Sequence, residues 1–168
     1  MEKEIIIKEQ VKYSGLGNFK DSYKHAYDWL IGEGFDVVED KYEEKTKGEA
    51  KDAKIVWTAT HKVTDYFRIR LEIKWEVLGM TDVEVELDGK KKSMNKFSEI
   101  KIDIRGTLEK DYTSKWGATS TQRFLKDVYH KYVIPGTTDK RKIEVVEITQ
   151  QFKDEMKAFF DLICKRYS

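Results

Sequence analysis

From Phe67 to Val77 every second residue is apolar: Phe67, Ile69, Leu71, Ile73, Trp75 and Val77 alternate with Arg68, Arg70, Glu72, Lys74 and Glu76. Unbroken period-two alternation predicts a strand with one buried face and one solvated face. The preceding segment carries Ile55, Trp57, Ala59, His61 and Val63 on one parity. That parity constrains the hairpin between them. A two-residue loop at Thr64-Asp65 would put the two apolar sets on opposite faces. A three-residue loop, Thr64-Asp65-Tyr66, pairs Val63 with Phe67, His61 with Ile69 and Trp57 with Ile73. Burial selects the longer loop.

The same reading extends along the chain. Residues 4–13 form a strand with Ile5, Ile7, Val11 and Tyr13 on one side. Asn18 caps a helix whose apolar face is Phe19, Tyr23, Ala26, Tyr27 and Leu30, and Gly32 and Gly34 stop it. Phe35 to Tyr42 is a second strand, and the polar stretch from Glu43 to Ala53 is a turn or long hairpin tip. Val83, Val85 and Leu87 mark a further short strand, with a lysine-rich loop over Asp88–Lys96. Ile100, Ile102, Ile104 and Leu108 mark the last strand. After a polar connector, Phe124, Leu125, Val128, Tyr132 and Val133 predict a helix that ends at Pro135-Gly136. A final helix, starting after Asp139, carries Phe152, Met156, Phe159, Phe160 and Ile163. The order β-α-β-β-β-β-β-α-α predicts an α+β fold. It is an antiparallel meander sheet of about six strands with helices packed on one face, in a single domain over residues 1–168.

Composition narrows the class. Of the 168 residues 38% are charged, 39% hydrophobic and 12% aromatic. That is too polar for an integral membrane protein and too aromatic for a disordered chain. No apolar run approaches the roughly 18 residues of a membrane helix, and the N-terminal MEKEIIIKEQ lacks a signal-peptide core. A soluble, cytoplasmic protein is expected. The lone Cys164 excludes an intrachain disulfide and a cysteine-rich zinc site; beside Ile163 it reads as an inert, buried thiol. The formal charge is only +1, and lysine far outnumbers arginine, so nucleic acid is an unlikely partner.

Chemical motifs are sparse. Gly15-Leu16-Gly17 follows a strand and opens a helix, but Lys20 stands where a dinucleotide fingerprint needs its third glycine. His25, His61 and His130 fit no metal-ligand spacing, and there is no G-x-S-x-G elbow. No cofactor, metal site or catalytic set is implied, and an enzyme is not expected. His61 shares the inner parity of Trp57, so its imidazole could hydrogen-bond a ligand. With Trp75 on the next strand, and Tyr27 and Phe159 on helices above, Trp57 and His61 form a candidate ligand-binding set. Tyr112 and Trp116, in a connector where no core pattern demands them, are candidate interface anchors. Arg68, Arg70 and Lys74, with Lys62 beside them, make an outward stripe; Glu72, Glu76, Glu84 and Glu86 share that face, so a solvated surface of cross-strand pairs is expected. Lys90, Lys91, Lys92 and Lys96 read as a solubilising loop.

The stretch DYFRIRLEIKWEVLG (65–79) through LEKDY (108–112) resembles small uncharacterised proteins of archaeal genomes, a likeness that implies no activity. Long antiparallel strands with a C-terminal helix also resemble helix-grip, lipid-carrier-type domains, which would imply an apolar ligand held between sheet and helices. Two functions are therefore open: a non-enzymatic binding module for an apolar small molecule, or a protein-interaction module using exposed aromatics or the C-terminal helix.

Overall fold

The alternating segments pair into one antiparallel sheet in the computed structural model, which describes residues 2–113, 119–128 and 134–167. Its strands are β1 (Glu2–Gly17), β2 (Asp36–Lys47), β3 (Ala50–Lys62), β4 (Phe67–Leu87) and β5 (Lys90–Lys110), in the order β1-β5-β4-β3-β2. Helix α1 (Phe19–Gly32) follows β1; α2 (Ser120–Val128) and α3 (Ile134–Tyr167) close the chain. The α+β class holds, but there are five strands among the described residues, not about six. The two segments expected as separate strands, Phe67–Val77 and Val83–Leu87, are one 21-residue strand, β4. It runs through Gly79 at φ +60°, whose N–H donates to Asp52 Oδ1 at 2.9 Å. The order is thus β-α-β-β-β-β-α-α.

The expected lysine loop is also strand. Leu87 lies opposite Lys90, so the connection is the two residues Asp88-Gly89, at φ 54° and 75°. Positive φ at both central positions is the type I′ turn that Asp-Gly favours and that matches strand twist. Lys90, Lys91 and Lys92 sit on a hairpin tip. At the other end of β4 the three-residue loop forms as its parity requires. His61 pairs with Ile69 and Trp57 with Ile73, and Thr64 Oγ1 accepts from the N–H groups of Tyr66 (3.1 Å) and Phe67 (2.9 Å).

β1 departs from simple alternation. A bulge between Ile5 and Ile7 reverses the parity, so Ile5 faces outward and is half exposed while Val11 joins the core. An extra residue in one strand always swaps the faces beyond it.

Two asparagines hold the start of α1. Asn18 Oδ1 accepts from Asp21 N–H (3.1 Å), and Asn95 Oδ1, reaching from β5, accepts from Phe19 N–H (2.9 Å). The helix ends with Gly34 at φ +92°; the Gly34 N–H donates to Ile31 C=O and the Phe35 N–H to Leu30 C=O, a Schellman closure.

The final helix begins earlier than expected, at Ile134. Pro135 lies in its first turn, where a missing N–H costs nothing, so Pro135-Gly136 starts this helix and does not end the one before. Tyr132 and Val133 lie outside the described residues. Val145, Thr149, Phe152, Met156 and Phe160 form the buried stripe of α3, laid along β1 and β5, with α1 beside it. The closest approach is at Gly106 on β5. A Cβ there would stand 2.5 Å from Thr149 Oγ1 and 2.9 Å from Ile7 and Val145 methyls. No described helix is long and apolar enough to cross a membrane.

Gly106→Ala should therefore cost about 1–3 kcal/mol by overpacking, and Phe152→Ala about 3–5 kcal/mol by leaving a cavity. Gly136→Ala, where a Cβ meets nothing within 4 Å, should be near neutral. Urea unfolding separates the three; a Gly106→Ala protein as stable as the parent would mean α3 does not sit on β5.

Candidate functional site

Beneath α1 the inner face is filled by rings. Trp57 and Trp75 are fully buried, their centroids 5.4 Å apart in an edge-to-face pair. Tyr23 packs edge-on against Trp57 at 4.9 Å, and Phe19 against Trp75 at 6.3 Å. Trp57 Nε1 donates to Glu39 Oε1 at 3.3 Å, while Trp75 Nε1 is buried without a partner among the described residues. Tyr23 also donates to Glu39. Burial first, and that hydrogen bond second, push its hydroxyl up to about 12. Tyr42, on the same side of β2, is likewise raised by burial and by its hydrogen bond to Glu44.

Of the five residues of the predicted ligand set, Tyr27, Trp57 and Trp75 are in ring contact, whereas Phe159 and His61 have other neighbours. Tyr27 meets the edge of Trp57 at 6.2 Å and is 40% exposed. Phe159 lies on α3, stacked on His25 at 4.7 Å, where His25 Nε2 also meets Glu155 Oε1 at 3.0 Å. His61 is at the sheet's rim. It packs on Phe35 at 5.4 Å, and its Nδ1 lies 2.9 Å from Gly34 O.

That rim carries a groove of about 280 Å³ between the sheet and the helices. Phe35, Val63, Ile69 and Ile148 supply its apolar lining, and His61, Glu33, Arg141, Glu144, Glu147 and Gln151 its polar one. Each position has a local cause. The three-residue loop sets the parity that turns His61 and Val63 inward. The Schellman closure of α1 points Gly34 C=O at the imidazole. A Cβ on Gly34 would stand 3.1 Å from His61 Cε1, so glycine serves both the backbone and the ring. A carbonyl can only accept, so Nδ1 carries the proton and Nε2 of the neutral ring is left as an acceptor. Arg141 is committed to Glu144, with Nη1 at 2.8 and 3.0 Å from its two oxygens, while Arg141 Nε is buried without a partner among the described residues. His61 is visible in the sequence through its parity; its neighbours on α3 are not, because alternation along β3 does not say which turns of α3 lie over this rim.

The outer face differs from expectation. Glu109 is completely buried there. Arg68 donates to it through Nε (2.7 Å) and Nη2, Arg70 Nη1 lies at 3.4 Å and Lys3 Nζ at 3.9 Å. The Arg68 guanidinium is in turn covered by the Tyr112 ring, 4.9 Å from its centroid, and the Tyr112 hydroxyl donates to Thr64 O at 2.9 Å. Two of the three stripe residues are thus part of a desolvated network, and Tyr112 is folded onto it. Lys74 is exposed. Trp116 and His130 lie outside the described residues. Cys164 is exposed, not buried. Among the described residues no group of three His, Cys, Asp or Glu side chains could hold a metal ion.

Comparison with known proteins adds nothing to this geometry: no family model, no curated protein and no solved structure matches the chain.

Removing Glu109 leaves two arginines facing one another with little water. Glu109→Ala should cost about 3 kcal/mol, the low end for breaking a buried pair because both guanidiniums retain some exposure. Lys74→Ser should stay within about 0.5 kcal/mol. Equal, small effects in chemical denaturation would return this face to bulk solvent. The Tyr23 hydroxyl gives a pH signature. Its folded pKa lies above that of the unfolded chain, so its contribution is complete below about pH 10 and is lost as pH rises through about 12. The stability gap between the parent and Tyr23→Phe should narrow across that interval; a gap independent of pH would mean the hydroxyl is not held by Glu39.

Proposed function

We propose that the protein is a non-enzymatic binding module that holds a small molecule in the rim groove between sheet and helices, with His61 as its polar anchor. The observation that carries this reading is the groove itself. It is close to the lower size of ligand pockets, about 300 Å³. Apolar walls converge there on one imidazole whose free nitrogen is set by the Gly34 hydrogen bond. Acceptors dominate its polar side, namely His61 Nε2, Glu33 and Glu147, while the nearby cation Arg141 is engaged by Glu144. The fitting ligand has a compact apolar body and a hydrogen-bond-donating head, an amine or a hydroxyl. An exposed free thiol at Cys164 suits the reducing cytoplasm.

The test is a titration with amines, alcohols and carboxylates sharing one short hydrocarbon body, followed by amide shifts at residues 61–63, 69 and 148. Amines or alcohols should saturate and carboxylates should not. His61→Ala should weaken binding about tenfold, the worth of one hydrogen bond, and Ile148→Trp should abolish it in a folded protein. No saturable response, or unchanged binding in Ile148→Trp, would contradict the reading.

A second reading, an interaction module, is favoured by α2. Phe124 is 66% and Leu125 50% exposed, and α2 buries none of its residues. Replacing both with serine should then dissociate a multimer seen by native mass measurement; a parent protein that is already a monomer without a co-purified chain removes the motive for it.

A further inference from the structure

The outer face of the sheet, opposite α1 and α3, has a charge of its own. Over the five rows from Lys3 to Lys12 in which β1, β5, β4 and β3 lie side by side, the outward positions hold ten Lys or Arg against four Asp or Glu. The adjoining part of β2 adds Lys41 against Asp36, Glu43 and the bulged Asp40, which accepts from Thr58 Oγ1. This face is formally +4, in a chain of +1.

Its centre is concave. A groove of about 600 Å³ is lined by Lys8, Glu9 and Gln10 of β1, Asp103, Ile104 and Arg105 of β5, and Glu72 and Lys74 of β4. Its carboxylates have partners: Glu9 Oε2 takes Lys153 Nζ at 2.8 Å. Glu72 takes Arg105 Nη1 at 3.1 Å and Arg70 Nε at 3.3 Å, and Asp103 Oδ1 accepts from Gln10 Nε2 at 2.6 Å. The two lysines do not: among the described residues neither Lys8 nor Lys74 has an acidic oxygen within 4 Å, and both are exposed. They stand on strands either side of β5. The Arg68–Glu109–Arg70 network braces the adjoining rows, so the guanidiniums beside the groove are fixed before any ligand arrives.

We propose that this groove binds a small polyanion, a molecule carrying two or more phosphate or carboxylate groups, with Lys8 and Lys74 as its charge partners and Arg105 as a preoriented donor between them. A surface excess of positive charge around a concavity concentrates such ligands. A nucleic-acid strand fits less well. No aromatic ring stands among the outward positions of these rows, and the adjoining Tyr112 ring is already laid on Arg68, so the groove offers bases no stacking platform of its own.

The experiment is an amide-shift titration in 0.15 M salt with tripolyphosphate, citrate and a 20-nucleotide single-stranded DNA. Saturation by tripolyphosphate or citrate is expected, with shifts confined to residues 8–10, 72–74 and 103–105. The double variant Lys8→Gln/Lys74→Gln should bind at least tenfold more weakly, while Lys91→Gln/Lys92→Gln on the hairpin tip binds as the parent does. Neither substituted lysine in the groove holds an ion pair, so its variant should melt with the parent. The proposal is overturned if neither small anion saturates, if the groove variant binds as tightly as the parent, or if the DNA binds more tightly than both small anions.

Discussion

The pairing of β4 with β5 places everything else. The two strands run in one register from Phe67 opposite Lys110 to Leu87 opposite Lys90, closed by the Asp88-Gly89 turn. At one end that register sets Arg68 against Glu109. At the other it brings Asn95, held by Asp82 at 2.8 Å, to cap α1. Side chains alternate with a period of exactly two residues, so a slip by one would send Ile73, Trp75 and Val77 into water and their charged neighbours into the core. Each large apolar side chain so exposed forfeits about 1.5–3 kcal/mol, and many would be exposed together. The turn and the burial pattern therefore enforce the same alignment.

From that frame follow two faces with different capacities. The inner face is solid where the tryptophans lie. The unpartnered indole N–H of Trp75 costs about 1–3 kcal/mol. Burying a ring of roughly 150–250 Å² at about 25 cal/mol/Å² returns about 4–6 kcal/mol. The orphan donor is thus tolerated by packing alone and requires no ligand beside it. A groove opens where the layers diverge, at the His61 rim between α1, α3 and the β3–β4 hairpin. The outer face keeps its polar character, but around Glu109 the long arginine and tyrosine side chains exclude water as a helix would.

Much of this frame could be read from the chain, where a buried face leaves a trace. The alternation of Phe67–Val77 and the parity of Trp57 and His61 fixed the loop length and the Trp57–Ile73 pairing. Asn18 and Gly34 announced both ends of α1. The signal failed where no face is buried: Lys90–Lys92 lie on a two-stranded tip, so charge hid a strand that the Asp-Gly turn alone could have disclosed. It failed again at Ile5–Ile7, since three isoleucines give no sign of which one bulges. Pro135 is compatible with either end of a helix, and the choice of the wrong end concealed how far α3 extends. Of the site, His61 was legible through parity, whereas Arg141, Glu144 and Glu147 become neighbours only once α3 is laid on the sheet. Glu109 stands on the polar parity of β5, so alternation alone marks it as outward; its burial depends on Arg68, Arg70 and Lys3, contributed by two other strands.

Native-state hydrogen exchange tests the β4–β5 frame most directly. Every amide from residues 69–77 and 100–106 lies in a strand flanked on both sides, so these should exchange only with global unfolding and share one free energy. Amides of the edge strand β2 and of the hairpin tip around Asp88-Gly89 should exchange faster, by local opening. Fast exchange across 69–77, or equal protection of the tip and the centre, would contradict a fold organised around this pair of strands.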